Sequence, residues 1–207
     1  MLIKLYAIDK PLAEAWRAEF GLKPLPEPYE VEIIEGDILE DHHDAVVSPA
    51  NSFGYMDGGI DLLYTELFGR ELQRKLQGLI HSNFGGELSV GESIMLATGI
   101  KRIPYLISAP TMRTPQDLNG TVNAYLASKS ALRLANHNKL SSVAFPGMGT
   151  GVGALPPNVA AVQMRRGFLD AIQGMAPVSC LWERALDEKN LAVGNDTRGV
   201  HISEVIK

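Results

Sequence analysis

Short apolar runs alternate with longer segments of helical periodicity along most of this sequence. The apolar runs that predict strands cover residues 2–8, 31–35, 45–47, 93–97, 105–108 and 143–145. Segments with apolar residues three or four apart predict helices at about residues 11–20, 60–80, 121–136 and 157–172. Strands that alternate with helices form a mostly parallel sheet that is covered on both faces. The pattern therefore predicts an α/β fold with three layers.

Three local features refine this prediction. A five-residue step from Leu67 to Leu72 breaks the helical spacing at Gly69, which predicts a kink or two shorter helices. Thr121 is a candidate N-cap for the third predicted helix. The apolar run at residues 178–182, which holds the cysteine of this chain, predicts a further buried strand.

A proline-rich stretch suggests how the chain is organised. Residues 23–28 contain three prolines, which predict an extended connection rather than a helix or strand. Residues 1–28 are too few to build a core of their own. We therefore expect an N-terminal extension (1–28) packed on a main domain (29–186), followed by a polar C-terminal tail (187–207).

Composition and charge exclude several classes of protein. The 207 residues include 19 Lys plus Arg and 24 Asp plus Glu, a net charge of 19 − 24 = −5, which argues against a large non-specific nucleic-acid surface. No stretch approaches the ~20 apolar residues of a membrane span. One cysteine permits no intramolecular disulfide. We expect a cytoplasmic protein without membrane association.

Two strand-to-helix junctions are rich in glycine and small polar residues. The first runs from Ser48 to Asp61, and the second runs from Phe145 to Gly153. Glycine lets the backbone approach a ligand closely, and free amides ahead of a helix bind anions. Ligands of open α/β sheets lie beyond the carboxyl ends of the strands. The two loops are thus predicted to hold a phosphate-bearing ligand from opposite sides.

The order of short motifs along residues 29–175 resembles the macrodomain family. The motifs are Gly36-Asp37-Ile38, Val47-Ser48-Pro49-Ala50-Asn51, Asp57-Gly58-Gly59-Ile60-Asp61, Gly91-Glu92, Ile107-Ser108-Ala109-Pro110, Ala144-Phe145-Pro146 and Thr150-Gly151-Val152. The resemblance implies a three-layer α/β/α sandwich with a mixed, mostly parallel sheet. It also implies that the ligand is ADP-ribose, free or attached to a protein, and that no metal or other cofactor is required.

The resemblance also implies roles for individual residues. Asp37 would bind the adenine amino group, and Asn51 would contact the distal ribose. The remaining ligand-binding positions implied by the family pattern are Ile38, Gly58, Gly59, Ile60, Gly149, Thr150, Gly151, Val152 and Gly153. In the hydrolytic branch of the family an aspartate follows the asparagine by ten positions, and Asp61 has this spacing from Asn51.

The sequence departs from the family pattern at positions that affect the chemistry. Asp57 stands where the family has a glycine, so Asp61 and Asp57 are both candidates to activate water, with Asp61 favoured by its spacing from Asn51. Gly153 replaces an aromatic residue, which predicts that this side of the pocket is open to a bulky acceptor. The catalytic candidates are therefore Asp61, Asp57 and Asn51.

Several alternatives remain at this point. The chain could be an ADP-ribosyl hydrolase, a non-catalytic reader of ADP-ribose, a phosphatase of ADP-ribose phosphorylated on the distal ribose, or a structural module that binds no nucleotide. Trp182 could stack on adenine or pack in the core, and Arg113 could meet a phosphate or be a surface residue. The adjacent His42 and His43 favour a solvated loop over a metal site.

Overall fold

The computed structural model describes residues 1–198, so residues 199–207 of the predicted tail lie outside the described residues. Within residues 1–198, the strands are β1 (Leu2–Ala7), β2 (Glu30–Glu35), β3 (Ala45–Ser48), β4 (Ile94–Ile100), β5 (Ile103–Ser108) and β6 (Ser142–Phe145). The helices are α1 (Lys10–Leu22), α2 (Gly59–Phe68), α3 (Arg70–Phe84), α4 (Asn123–His137), α5 (Pro157–Gln173) and α6 (Leu181–Leu191). None of these helices is long and apolar enough to cross a membrane.

The strands form one mixed sheet in the order β2-β1-β6-β3-β5-β4. Five neighbouring strands are parallel, and β4 alone pairs antiparallel, with β5. The predicted mixed, mostly parallel sheet is therefore confirmed. β1 pairs with β2 on one side and with β6 on the other, so residues 1–28 supply an interior strand of the sheet.

Alternate residues along the strands face two separate hydrophobic cores. Leu5 and Phe145 pack with residues of α1, α4 and α5 on one face of the sheet. Val46 and Leu106 pack with residues of α2 and α3 on the other face. This alternation follows from the period of two in a strand. The three-layer sandwich predicted from the sequence is confirmed.

Glycines set the geometry of the helices at two places. Gly69 has a φ of 84° and separates α2 from α3, so the predicted break in the long helical segment is confirmed. Gly167 of α5 allows a close approach to α4, because a Cβ there would lie 2.7 Å from the carbonyl oxygen of Tyr125 and 3.0 Å from the amide nitrogen of Lys129.

Two local predictions were wrong. Residues 178–182 do not form a buried strand: Cys180 is the exposed N-cap of α6, and Trp182 is 84% exposed on that helix. The start of α6 is fixed by the carboxylate of Glu183, which accepts a hydrogen bond from the amide of Ser179 at 2.6 Å. At α4 the N-cap is Val122 rather than Thr121.

The last described segment is bound to α5 by a group of buried ion pairs. Arg166 on α5 is buried and pairs with Asp170 of its own helix, with Asp187 of α6 and with Asp196 beyond it, at 3.2, 2.8 and 2.7 Å. The proposed boundary between residues 186 and 187 falls inside α6. Residues 187–198 are therefore bound to the body of the fold by charge as well as by the buried side chains of Leu191 and Ala192.

Candidate functional site

Both glycine-rich loops leave the same edge of the sheet. β3 and β6 are parallel neighbours, with Ala45 opposite Val143, and each loop follows the carboxyl end of its strand. The connections after β1, β2 and β5 reach this edge as well, because these strands run in the same direction. The predicted placement of the two loops on one edge is confirmed, and the edge is where open α/β sheets bind ligands.

The side chain of Asn51 shapes the first loop. Its Oδ1 accepts hydrogen bonds from the amides of Phe53 and Tyr55 at 3.1 and 3.3 Å, and its Nδ2 donates to the Tyr55 carbonyl at 2.9 Å. Gly54 completes the turn with a φ of 70°, where a Cβ would lie 2.9 Å from Ile80. Both polar atoms of the Asn51 side chain thus make hydrogen bonds within the loop, and its contact with a distal ribose stays a prediction.

The end of the first loop exposes backbone at the start of α2. Gly58 is the N-cap, its position carries no side-chain cap, and Gly59 follows with a φ of 55°. Nothing lies within 4 Å of a Cβ built on either glycine, whereas Ile60 is half-buried. The first amides of a helix without a cap form a positive end that favours an anion.

Asp61 lies in the first turn of α2 and is enclosed by protein. It is only 7% exposed and accepts a hydrogen bond from the hydroxyl of Ser48, the last residue of β3. Burial raises the pKa of Asp61 to about 7, and the nearby charge of Asp57 adds to this effect while the Ser48 bond opposes it. The hydrogen bond between Ser48 and Asp61 was not predicted from the sequence.

Asp57, in contrast, is exposed. It lines a pocket of about 330 Å³ together with Met56, Leu62, Thr65, Arg70, Gln73 and Arg74. The backbone of Met56 is fixed there, since its amide donates to Gln73 at 2.9 Å and its carbonyl accepts from Thr65 at 2.7 Å. The two candidate carboxylates therefore have different surroundings, one in solvent and one enclosed.

The second loop presents an open tip and a closed end. Gly151 and Val152 are exposed, Thr150 is half-buried, and Gly149 has a φ of 79°. The sequence had predicted that Gly153 leaves this side of the pocket open, but the structure shows it closed. Gly153 is buried, and a Cβ there would lie 2.6 Å from the Gly149 carbonyl oxygen and 2.7 Å from Leu118. The side chain of Leu118 fills the space expected to be empty, so that expectation is corrected.

The loop after β2 brings Asp37 to the same edge. Asp37 is exposed, and its Oδ1 accepts a hydrogen bond from the amide of Leu39 at 2.8 Å. Ile38 is buried in the core beneath α3, so only its backbone is available to a ligand. Gly36 donates to the carbonyl of Ala7 at 3.2 Å, which fixes this loop beside the end of β1.

Other candidates from the sequence do not join this group. Arg113 pairs with Glu87 at 2.8 Å and lies 5.1 Å from the centre of the Phe53 ring, so its charge is already compensated. Trp182 is too exposed for the core-packing interpretation, which is wrong.

His43 is buried with Nε2 2.9 Å from the Ile38 carbonyl oxygen, whereas His42 is exposed. Residues 1–198 contain no group of three His, Cys, Asp or Glu side chains placed to hold a metal ion.

The sequence is similar to those of several known proteins. A family model described as Macro domain matches residues 47–164. A protein of Aquifex aeolicus is 33% identical over 152 residues, which cover 73% of this chain and 86% of that protein. A macro domain-containing protein of Listeria monocytogenes is 33% identical over 136 residues, covering 64% of this chain and 74% of its own length.

Solved structures resemble the fold as well. The Oceanobacillus iheyensis macrodomain with ADP matches with a TM-score of 0.56 at 25% identity, over 65% of this chain and 72% of that one. The macrodomain of Mycobacterium tuberculosis DarG matches with a TM-score of 0.56 at 22% identity, over 68% of this chain and 88% of its own. The second likeness concerns the fold alone.

Proposed function

Since this chain belongs to the Macro domain family, we propose that it binds ADP-ribose between its two glycine-rich loops and hydrolyses ADP-ribosyl linkages on modified proteins. The observation that carries this proposal is the parallel pairing of β3 with β6. Because of that pairing, the backbone at Gly58 and Gly59 and the tip of the second loop at Gly151 share one edge, where a diphosphate can lie between them.

The proposed contacts divide along the ligand. Asp37 takes the adenine amino group, and the diphosphate lies against the start of α2 and the loop from Gly149 to Gly153. The distal ribose lies next to Asn51. Solved variants of the Oceanobacillus iheyensis macrodomain replace an asparagine and, ten positions later, an aspartate, which is the spacing of Asn51 and Asp61. This parallel supports our proposal that Asn51 and Asp61 form the reactive end of the site in this chain.

The proposed reaction is the addition of water to the anomeric carbon of the distal ribose. The carbon–nitrogen or carbon–oxygen bond to the acceptor side chain breaks, the water hydroxyl stays on the ribose, and the released acceptor takes up a proton. A base with a pKa near the working pH is most effective in such a step. Asp61 has a pKa of about 7 and fits this role, whereas Asp57 has free access to solvent. Asp61 is the proposed base, and Asp57 is the alternative.

A second function is favoured by a specific observation. The carboxylate of Asp61 is enclosed and bonded to Ser48, so the chain could use it to hold α2 against β3 rather than to activate water. The protein would then be a reader that binds ADP-ribose without cleaving it. The two functions share the same loops and differ only in turnover.

The first experiment tests binding by calorimetry with ADP-ribose. We expect micromolar affinity, on the order of −8 kcal/mol. Gly151→Glu should abolish binding, because its side chain would place a negative charge where the diphosphate lies. Nothing lies within 4 Å of a Cβ at Gly151 and its φ is not positive, so the variant should fold normally.

Gly21→Glu is the matched control for this variant. Gly21 is also an exposed glycine without neighbours within 4 Å, but it lies near the end of α1 that faces away from the site. Equal affinity of the Gly151 variant and the Gly21 variant for ADP-ribose would show that the second loop is not the diphosphate site.

The second experiment separates hydrolase from reader. Substrates carrying ADP-ribose on arginine, on acidic side chains and on serine are incubated with the wild type, Asp61→Asn and Asp57→Asn, and released ADP-ribose is measured. Loss of a positioned base lowers the rate about 10²–10⁴-fold, so we expect this loss for Asp61→Asn with affinity for ADP-ribose retained within a few-fold. A larger loss for Asp57→Asn would reverse the two roles. No release by the wild type, with ADP-ribose still bound, would establish the reader.

A further inference from the structure

The turn between β1 and α1 lies at the proposed ligand edge, between two of the ligand loops. β1 is parallel to β2 and to β6, so its carboxyl end at Ala7 points to that edge. On one side, the carbonyl of Ala7 accepts the hydrogen bond from Gly36, which adjoins Asp37. On the other side, a Cβ on Gly147 would lie 2.7 Å from Cδ2 of Leu12. The first turn of α1 thus packs directly against the second glycine-rich loop.

Ile8 is the residue at the centre of this turn, and its side chain is 90% exposed. The turn itself is well fixed, because the carboxylate of Asp9 caps α1 by accepting a hydrogen bond from the amide of Leu12 at 3.0 Å. Single exposed apolar residues are common on protein surfaces. The position of Ile8 is informative because the contacts of its neighbours fix the turn between two loops of the ligand edge, where the turn presents this apolar side chain to solvent.

The order of strands in the sheet matches the order of groups in ADP-ribose. Crossing from β2 to β3, the strand ends carry Asp37, Ile8, the loop from Gly149 to Gly153, and Asn51. With neighbouring strands about 4.8 Å apart, these three steps span about 14 Å. The proposed adenine contact lies at one end of this row and the proposed ribose contact at the other. Ile8 stands next to the adenine end.

We infer that Ile8 is the apolar surface on which the adenine ring of ADP-ribose rests, while Asp37 meets the polar edge of the ring. A purine has a flat apolar face and a polar rim, and this pair of side chains offers one partner for each. The inference rests on the proposed binding of ADP-ribose and assigns a function to residues 1–28. On this inference, residues 1–28 contribute a side chain to the nucleotide site.

Other exposed aromatic and apolar side chains do not serve this purpose. Tyr55 and Val152 belong to the two glycine-rich loops, which adjoin the diphosphate and the distal ribose. Trp182 lies on α6, which follows the end of α5 that points away from the loops. Among the large exposed apolar side chains of residues 1–198, Ile8 follows directly after β1, the strand that pairs with β2 and so ends beside the loop of Asp37.

The test compares Ile8→Ala, Ile8→Phe and wild type in calorimetric titrations with ADP-ribose and with AMP. Ile8→Ala should bind both ligands about fivefold more weakly, since both carry the base and part of its apolar contact is lost. Ile8→Phe should retain or improve the affinity through stacking. Leu22→Ala is the matched control, because Leu22 is 82% exposed at the other end of α1. It should bind both ligands as the wild type does.

The outcomes separate this inference from the function on which it rests. If wild type binds ADP-ribose and Ile8→Ala binds it equally tightly, the role of Ile8 is wrong and the proposed function stands. An equal loss for Leu22→Ala and Ile8→Ala would also refute the role of Ile8, because the effect would not be local. Failure of the wild type to bind ADP-ribose overturns both proposals.

Discussion

At the scale of single residues, the pairing of Ser48 with Asp61 defines the electrostatics of the site. A carboxylate removed from water is costly unless hydrogen bonds compensate it, and Asp61 has the Ser48 hydroxyl as its partner. Its raised pKa therefore results mainly from burial, and the exposed Asp57 adds repulsion. Perturbed carboxyl groups of this kind are concentrated at functional sites, although structural roles also produce them.

The same residue makes stability depend on pH. The folded-state pKa of Asp61, about 7, lies above the ordinary value of 3.8, so the folded chain binds more protons than the unfolded chain between pH 4 and pH 7. The contribution of Asp61 to the free energy of unfolding consequently falls as pH rises through this window and is constant above it. Asp61→Asn, which can still accept the bond from Ser48, should remove this fall. Urea unfolding at pH 4.5, 6 and 8 measures the effect.

Ser48→Ala provides the complementary variant. The hydroxyl of Ser48 lowers the pKa of Asp61, so its removal should raise that pKa further and extend the pH-dependent window upward. A stability profile of Asp61→Asn with the same slope as the wild type between pH 4 and pH 7 would contradict this account of Asp61.

At the scale of elements, a helix or strand could be predicted from the sequence where apolar residues recur with a regular period and become buried. The run at 143–145 becomes β6, and the helix predicted at 157–172 becomes α5, because their apolar residues enter the core. The run at 178–182 has similar composition but joins no core, and it forms the exposed start of α6 instead. An apolar run forms the element predicted for it only where its side chains pack against other buried residues.

The location of the candidate site could be predicted from the sequence, but the contacts within it could not. The motifs locate the two loops, because glycine-rich strand ends are a local signal. The enclosure of Asp61 by Ser48 and the filling of the space beside Gly153 by Leu118 join residues far apart in sequence. No local pattern encodes such contacts, so they appear only in the folded structure.

The close packing of α4 on α5 gives a test at this scale. Gly167→Ala should lower the free energy of unfolding by about 1–3 kcal/mol, since its Cβ would meet the backbone of α4 at Tyr125 and Lys129, which cannot move aside cheaply. Gly78→Ala is the matched control on the exposed face of α3, where nothing lies within 4 Å. It should stabilise the protein by about 0.5–1 kcal/mol. Chemical denaturation measures both, and equal effects would refute the close contact.

At the scale of the whole molecule, residues that precede the family match are part of the same sheet. The family model begins at residue 47, yet β1 and β2 lie before it and pair within the sheet. The sequence predicted both strands but not their order, because pairing of Leu2 with Ser142 spans 140 residues. Local periodicity contains no information about such partners.

The attachment of the last described segment also acts at this scale. Arg166→Ala should lower the free energy of unfolding by about 3–5 kcal/mol, because it leaves the buried Asp170 without this partner and releases Asp187 and Asp196. Arg74→Ala, which breaks an exposed pair with Glu71, should change it by less than about 1 kcal/mol. Thermal unfolding distinguishes the two, and similar midpoints would contradict the role of charge in holding α6.

The interior place of β1 has a consequence for the synthesis of this protein. Residues 1–35 can form β1, α1 and β2 early, because their contacts are local, but the other edge of β1 waits for β6. At ~5–20 residues per second, the ribosome takes on the order of ten seconds to make the intervening chain. During that time the free edge of β1 is a template for pairing with a neighbouring nascent chain. We therefore expect slower translation through residues 36–145 to prolong the time for which this edge is open to aggregation.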